Sequence, residues 1–207
     1  MSLEKIEKIN DRLIKVLTII YLNFLWIIFT LCGFVIFGIG PATYAVMKYY
    51  DRWLRLDDRL PITQTFFAYF KERYRQSMVI SWIGLGSMVI LIVNLFVVKE
   101  WYLQVANLLF LFGIVISFTY VYTIMAATIF ASYLEIFKGA ILLGFGYLHY
   151  TIIAWTLIIS SYFVALKILP SIVFLFGIGY IGLIIGYAGK KILIEFTPKT
   201  SQKIINE

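Results

Sequence analysis

The chain has 207 residues, of which 62% are hydrophobic and only 14% are charged. A soluble domain is nearer half apolar and a quarter charged, so this composition excludes an ordinary soluble protein and indicates several membrane-spanning helices. The net charge of +7 is typical of basic loops that face anionic lipid headgroups. We therefore expect these cations to meet the lipid bilayer rather than nucleic acid.

The first apolar run covers 16–47, which is too long for one comfortable crossing of about 20 residues. Gly38, Gly40 and Pro41 interrupt it near its end. Glycine permits tight turns, and proline suits the first turn of a new helix. These residues therefore predict a turn between two helices.

We place this first hairpin over 16–56, with one helix over 16–37 and a second over 42–56. The second helix is only about 22 Å long, so Arg52 and Arg55 would have to snorkel to the interface. The pattern leaves open whether this second helix crosses the membrane fully or enters only half of it.

An amphipathic stretch follows over 57–76. Phe66, Phe67 and Phe70 fall near one helical face, with polar neighbours around them. This pattern predicts an interfacial helix that is either anchored in lipid or offers a docking surface for a partner. The candidate contacts to headgroups or a partner are Arg52, Arg55, Arg59, Phe66, Phe67, Phe70, Lys71 and Arg73.

The rest of the chain reads as two further hairpins over 77–132 and 147–189, separated by a short loop and followed by a basic tail over 190–207. Sixteen of the 18 Lys and Arg residues then lie on one side of the membrane and two on the other. Five crossings would instead divide them 12 to 6. Since cytoplasmic loops concentrate Lys and Arg, we predict an all-α, polytopic transmembrane bundle of six helical elements with both termini in the cytoplasm.

Few polar residues lie inside the predicted spans, and Asn23, Tyr122 and His149 are the candidates for lining a solute path. The alternative role for Asn23 is a hydrogen bond between helices, and His149 lies close to the predicted interface. Glycines at 182, 186 and 189 form a small-residue face for close packing, within the chain or between copies.

Catalytic and metal-binding patterns are missing from the sequence. Cys32 and His149 are the only residues of their kinds, and none of the GxSxG, HExxH or GxxxxGK[ST] motifs occurs. We therefore expect no catalytic residues, no cofactor and no metal site.

The segment from Tyr21 to Ala45 resembles the start of the YesL family of bacterial membrane proteins, through an N-x-x-W run, a G-x-x-x-F-G segment and a P-A-T triplet. The Phe66-Phe67-x-x-Phe70-Lys71 pattern is also similar to that family. The family is functionally uncharacterised, and its members are often encoded beside sugar-uptake transporters and polysaccharide-degrading enzymes. The resemblance implies a multi-pass protein of the bacterial cytoplasmic membrane with an accessory role in carbohydrate uptake.

The partners implied by that role are permease subunits of an ABC-type sugar transporter, or further copies of the chain itself. Two other functions remain open at this stage. Six helices could enclose a path for a small solute, which would make the chain a transporter or channel. The chain could instead be a lipid-binding protein or a protein that maintains the cell envelope.

Overall fold

The computed structural model describes residues 3–58, 60–129 and 132–196, and all regular structure within these ranges is helical. The helices in chain order are α1 (Leu3–Cys32), α2 (Ile39–Arg55), α3 (Ile62–Glu72), α4 (Tyr74–Val97), α5 (Trp101–Ala127), α6 (Tyr133–Gly146), α7 (Leu148–Ile168) and α8 (Pro170–Phe196).

Five of these helices, α1, α4, α5, α7 and α8, are long and apolar enough to cross a membrane. The predicted all-α, polytopic architecture is therefore confirmed. Apolar side chains stay exposed along most of these five helices, as lipid contact requires, because hydrocarbon replaces water as their surroundings.

The prediction of a loop between the second and third hairpins is wrong, because this region forms helix α6. One face of α6 buries Ile136, Ala140 and Leu143 against α5. The two helices approach closely because Gly144 has no side chain; a Cβ there would lie 2.7 Å from Ile116 Cγ2. The apolar face of this segment therefore makes it a packed helix although it also carries two charged residues.

The turn of the first hairpin lies earlier than predicted. Helix α1 ends at Cys32 rather than at residue 37, and α2 begins at Ile39, so Gly40 and Pro41 lie inside the first turn of α2. Proline is tolerated there because the first backbone N–H groups of a helix have no intrahelical acceptor. Gly38 does lie at the turn, where a Cβ would come within 2.6 Å of the Thr30 carbonyl oxygen.

The tip of this hairpin, residues 33–38, is apolar and saturated with hydrogen bonds. Phe34 is 82% exposed, and its apolar neighbours in the tip are exposed as well. Every backbone N–H from Gly33 to Ile39 donates to a backbone carbonyl. The tip therefore exposes apolar side chains without leaving these N–H groups unpaired. The Trp82 indole also donates to Ile36 O at 2.8 Å.

Helix α4 shows how far the tip reaches. Trp82 lies in the first half of α4, and the helix continues about 22 Å beyond it, at 1.5 Å per residue. That remaining part exposes Val89, Ile90 and Phe96 and therefore needs lipid around it. This geometry favours a hairpin that enters only part of the membrane, the alternative that the sequence left open.

Helix α2 is the centre of the bundle, in contact with α1, α3, α4, α5 and α8. Ten of its 17 residues are buried, so neighbouring helices cover most of it. Its cations are paired: Lys48 with Glu72 at 3.7 Å, Arg52 with Asp58 at 3.3 Å and Arg55 with Asp51 at 2.7 Å.

The start of α1, the end of α2, the start of α3 and the end of α8 gather at one end of the bundle, which we call the basic end. Lys15, Trp53 and Lys190 line one cavity there, and Lys15, Trp53 and Ile62 line another. The segments predicted to share one side of the membrane thus come together, and which side they face stays a prediction. The predicted tail is helical as far as Phe196, and residues 197–207 lie outside the described ranges.

Candidate functional site

Helix α8 is broken at Gly177, where φ is +24° and ψ is −126°. Residues other than glycine rarely adopt this backbone conformation. A Cβ at this position would also lie 2.6 Å from Asn23 Oδ1. The break exposes backbone polar groups within an apolar helix, which is costly in a membrane unless they find partners.

Asn23 of α1 supplies several of those partners. Its Nδ2 donates to Phe174 O at 2.9 Å and to Leu175 O at 3.0 Å, and its Oδ1 faces the Gly179 N–H at 3.4 Å. The side chain is 1% exposed, so these bonds form away from lipid and water. Asn23 thus connects α1 to α8 by hydrogen bonds, which is one of the two roles that the sequence predicted for it.

Two tyrosines complete the set. The Tyr50 hydroxyl of α2 donates to Gly179 O at 2.7 Å, and the Tyr162 hydroxyl of α7 donates to Gly177 O. Three helices therefore each contribute one side chain to the break. Its carbonyls are occupied by protein donors, which makes the break a fixed structural joint in this conformation.

The other two candidates for a solute path lie in different surroundings. Tyr122 is packed among apolar residues of the core, beside the cluster of Met47, Ile158 and Ile185. His149 is exposed at the start of α7, with its ring 4.1 Å from that of Tyr150. Tyr150 in turn donates to Glu195 at 2.7 Å.

Helix α3 is held by aromatic packing. Phe66 is fully buried, and the Phe29 ring of α1 lies 5.2 Å from Phe66, 5.8 Å from Phe67 and 4.9 Å from Phe70, measured between centroids. The predicted aromatic face therefore packs on protein to a large extent instead of on lipid alone. Phe67 remains 44% exposed, and Lys71 Nζ lies 3.8 Å from its ring centroid.

Most of the predicted cationic contacts are engaged within the chain. Arg73 Nη1 donates to Met125 O at 3.3 Å and thereby binds the last turn of α5. Arg55 donates twice to the carboxylate of Asp51, and these hydrogen bonds raise the pKa of its guanidinium. Arg52 pairs with Asp58, and Arg59 lies outside the described residues.

Sequence reasoning missed the surroundings of Trp53. The Trp53 ring stacks on Tyr50 at 22° with 6.0 Å between centroids, and cavities of about 310 Å³ and 220 Å³ lie beside it. The residues around these cavities come from α1, α2, α8 and the segment that leads from α2 into α3, so no local pattern in the sequence could have revealed them.

Comparison with known proteins finds similarity to one family over part of the chain. Residues 19–95 match the family described as "Protein of unknown function, DUF624". The chain is 29% identical over 187 residues to the uncharacterized protein YteU of Bacillus subtilis (strain 168), covering 88% of this chain and 82% of YteU. No solved structure matches.

Two further relatives come from the same organism, and both are uncharacterized. YesL is 38% identical over 65 residues, which is 31% of each chain. YesV is 33% identical over 78 residues, covering 38% of this chain and 36% of YesV. The family match contains most of the first hairpin, all of α3 and most of α4, where the sequence motifs lie. The predicted resemblance to the YesL family is thereby confirmed, and the similarity to DUF624 covers residues 19–95 of this multi-pass membrane protein.

Proposed function

We propose that this protein is a non-enzymatic accessory component of the bacterial cytoplasmic membrane, which docks through α3 on the permease subunits of a carbohydrate uptake system. The sugar system and the bacterial membrane rest on the resemblance to the YesL family. The cytoplasmic placement of α3 rests on the one-sided distribution of Lys and Arg. The docking role rests on the geometry of α3.

The exposed face of α3 carries this proposal. Phe67 is 44% exposed on a short helix whose other side is anchored by the fully buried Phe66. A large aromatic ring on a fixed backbone offers contact area at a low cost in conformational entropy. Lys71 lies over that ring and adds one cation to the same face.

The charged part of the docking face is smaller than the sequence suggests. Arg52, Arg55 and Arg73 already bind acceptors within the chain, so using them for a partner would break existing contacts. Phe67 and Lys71 are exposed without any such rearrangement. These two residues therefore form the core of the face that the proposal assigns to a partner.

Co-purification from native membranes in mild detergent tests the proposal. The double variant Phe67→Ala/Lys71→Glu should lose the transporter subunits that accompany the unaltered protein. Phe96→Ala/Lys99→Glu is a matched control, because Phe96 is 86% exposed and Lys99 is exposed at the opposite end of α4. If neither the unaltered protein nor the control recovers permease subunits, or if the α3 variant retains them, the docking proposal is wrong.

The broken helix α8 favours transport by the chain itself as a second candidate function. Discontinuous helices often form the substrate and ion sites of secondary transporters. Here Asn23, Tyr50 and Tyr162 occupy the break, so a solute would have to exchange places with these side chains. Solute flux into liposomes that contain only this protein would support this second function, and flux that Asn23→Leu leaves unchanged would exclude a path through the break.

A further inference from the structure

The cavity of about 220 Å³ beside Trp53 lies at the basic end, between α1, α2 and α8. It is distinct from the docking face on α3, which contributes none of its lining residues. Trp53 forms one wall, and its stacking on Tyr50 fixes the position of the ring. The cavity is therefore a built feature of the bundle and independent of the function proposed above.

Three charged side chains line this cavity: Lys15 of α1, Lys190 of α8 and Asp57, which follows α2. None of the three forms an ion pair with any residue in the described ranges. Opposite charges around one small cavity would gain energy by approaching each other. Their separation leaves two cations and one anion available to a ligand that enters between them.

Apart from Tyr187, the remaining wall of the cavity is apolar. Ile19, Leu54 and Leu183 line it beside the charged residues. On α1, the neighbouring Val16 and Leu17 are exposed apolar residues. A ligand that fits this site must combine a charged part with a hydrocarbon part, because a small hydrated anion would leave the apolar wall without a partner.

We propose that this cavity binds the headgroup of an anionic phospholipid, with the phosphate between Lys15 and Lys190. Basic pockets between helices on the cytoplasmic side are known binding places for anionic headgroups. Two lysines and one aspartate give the site a net charge of +1, which a phosphatidylglycerol headgroup of charge −1 neutralises. Asp57 accepts a hydrogen bond from a glycerol hydroxyl, and the acyl chains lie along the apolar wall.

Native mass spectrometry of the purified full-length chain, titrated with phosphatidylglycerol or phosphatidylcholine in detergent, tests this assignment. The unaltered protein should bind phosphatidylglycerol more tightly than phosphatidylcholine. Lys15→Gln/Lys190→Gln should weaken phosphatidylglycerol binding about thirtyfold, from the attraction of each lysine for an anionic lipid. Glutamine is polar, uncharged and nearly as long as lysine, so the substitutions remove the charge and change the packing beside Trp53 little.

Lys191→Gln is the matched control, because Lys191 is exposed beside Lys190 and lines neither cavity. This variant should bind phosphatidylglycerol as the unaltered protein does. Equal binding of the two lipids, an unaffected double variant, or an equal loss in Lys191→Gln would overturn the site. A titration with inorganic phosphate separates the two sources of the phosphate group: competition at equal concentration would overturn the lipid assignment in favour of a soluble anion.

Discussion

Replacing Asn23 by leucine tests whether the joint between α1 and α8 holds the bundle together. Leucine has the same number and branching of side-chain heavy atoms as asparagine, so the change removes hydrogen bonds without creating empty space. Two of the bonds lost have lengths of 2.9 and 3.0 Å, and the Gly179 N–H loses its neighbour at 3.4 Å. Interhelical hydrogen bonds in membranes average about 0.6 kcal/mol each, while a buried polar group left without a partner costs about 1–3 kcal/mol.

These values predict that Asn23→Leu lowers the free energy of unfolding by about 2–4 kcal/mol. The loss should exceed the average for one membrane hydrogen bond because a single buried amide makes three contacts with the broken part of α8. Equilibrium unfolding in mixed micelles, titrated with SDS and followed by circular dichroism, measures this quantity.

Asn94→Leu is the matched control for this measurement. Asn94 lies in α4, is half-buried, and makes no side-chain hydrogen bond within the described ranges. Its replacement should change the free energy of unfolding by less than 1 kcal/mol. If both variants lose the same amount, the hydrogen bonds of Asn23 do not stabilise the bundle and the reasoning from the break fails.

Three further predictions concern single positions. Gly177→Ala should destabilise the protein in the same unfolding assay, because this position has a positive φ and a Cβ would meet the Asn23 amide. Gly86→Ala is the control, since a Cβ at residue 86 has open space around it. This control should leave the free energy of unfolding unchanged or raise it by up to about 1 kcal/mol. Phe66→Ala should cost about 3–5 kcal/mol because the ring is fully buried, and Phe67→Ala should cost far less. A cysteine introduced at Phe34, in a background with Cys32 replaced by serine, should not react with a water-soluble maleimide added from either side of the membrane. Rapid labelling from outside would instead show that the first hairpin crosses the membrane fully.

Membrane class and helical fold follow from the sequence because they depend on local composition. A run of about 20 apolar residues needs no knowledge of its neighbours to be recognised as a candidate span. Four of the spanning helices, α4, α5, α7 and α8, therefore begin within a few residues of the predicted positions. The turn of the first hairpin was misplaced because Gly40 and Pro41 suit the first turn of a helix as well as a loop, and nothing in the local pattern separates the two.

The candidate sites depend on contacts between distant parts of the chain, which the sequence does not display. Asn23 was recognised as polar in an apolar run, yet its acceptors lie in α8. Arg73 was a candidate for an external partner, and its hydrogen bond to Met125 O of α5 became visible only in the folded bundle. Periodicity alone likewise could not reveal that Phe66 faces the protein core while Phe67 stays exposed.

The joint at Gly177 also sets an order for biogenesis. The acceptors of Asn23 are made about 150 residues after it, with the last helix of the described chain. At synthesis rates of about 5–20 residues per second, the asparagine amide waits roughly 8–30 s in the membrane without its native partners. A chain arrested before α8 therefore carries on α1 an amide whose two carbonyl acceptors have not yet been made.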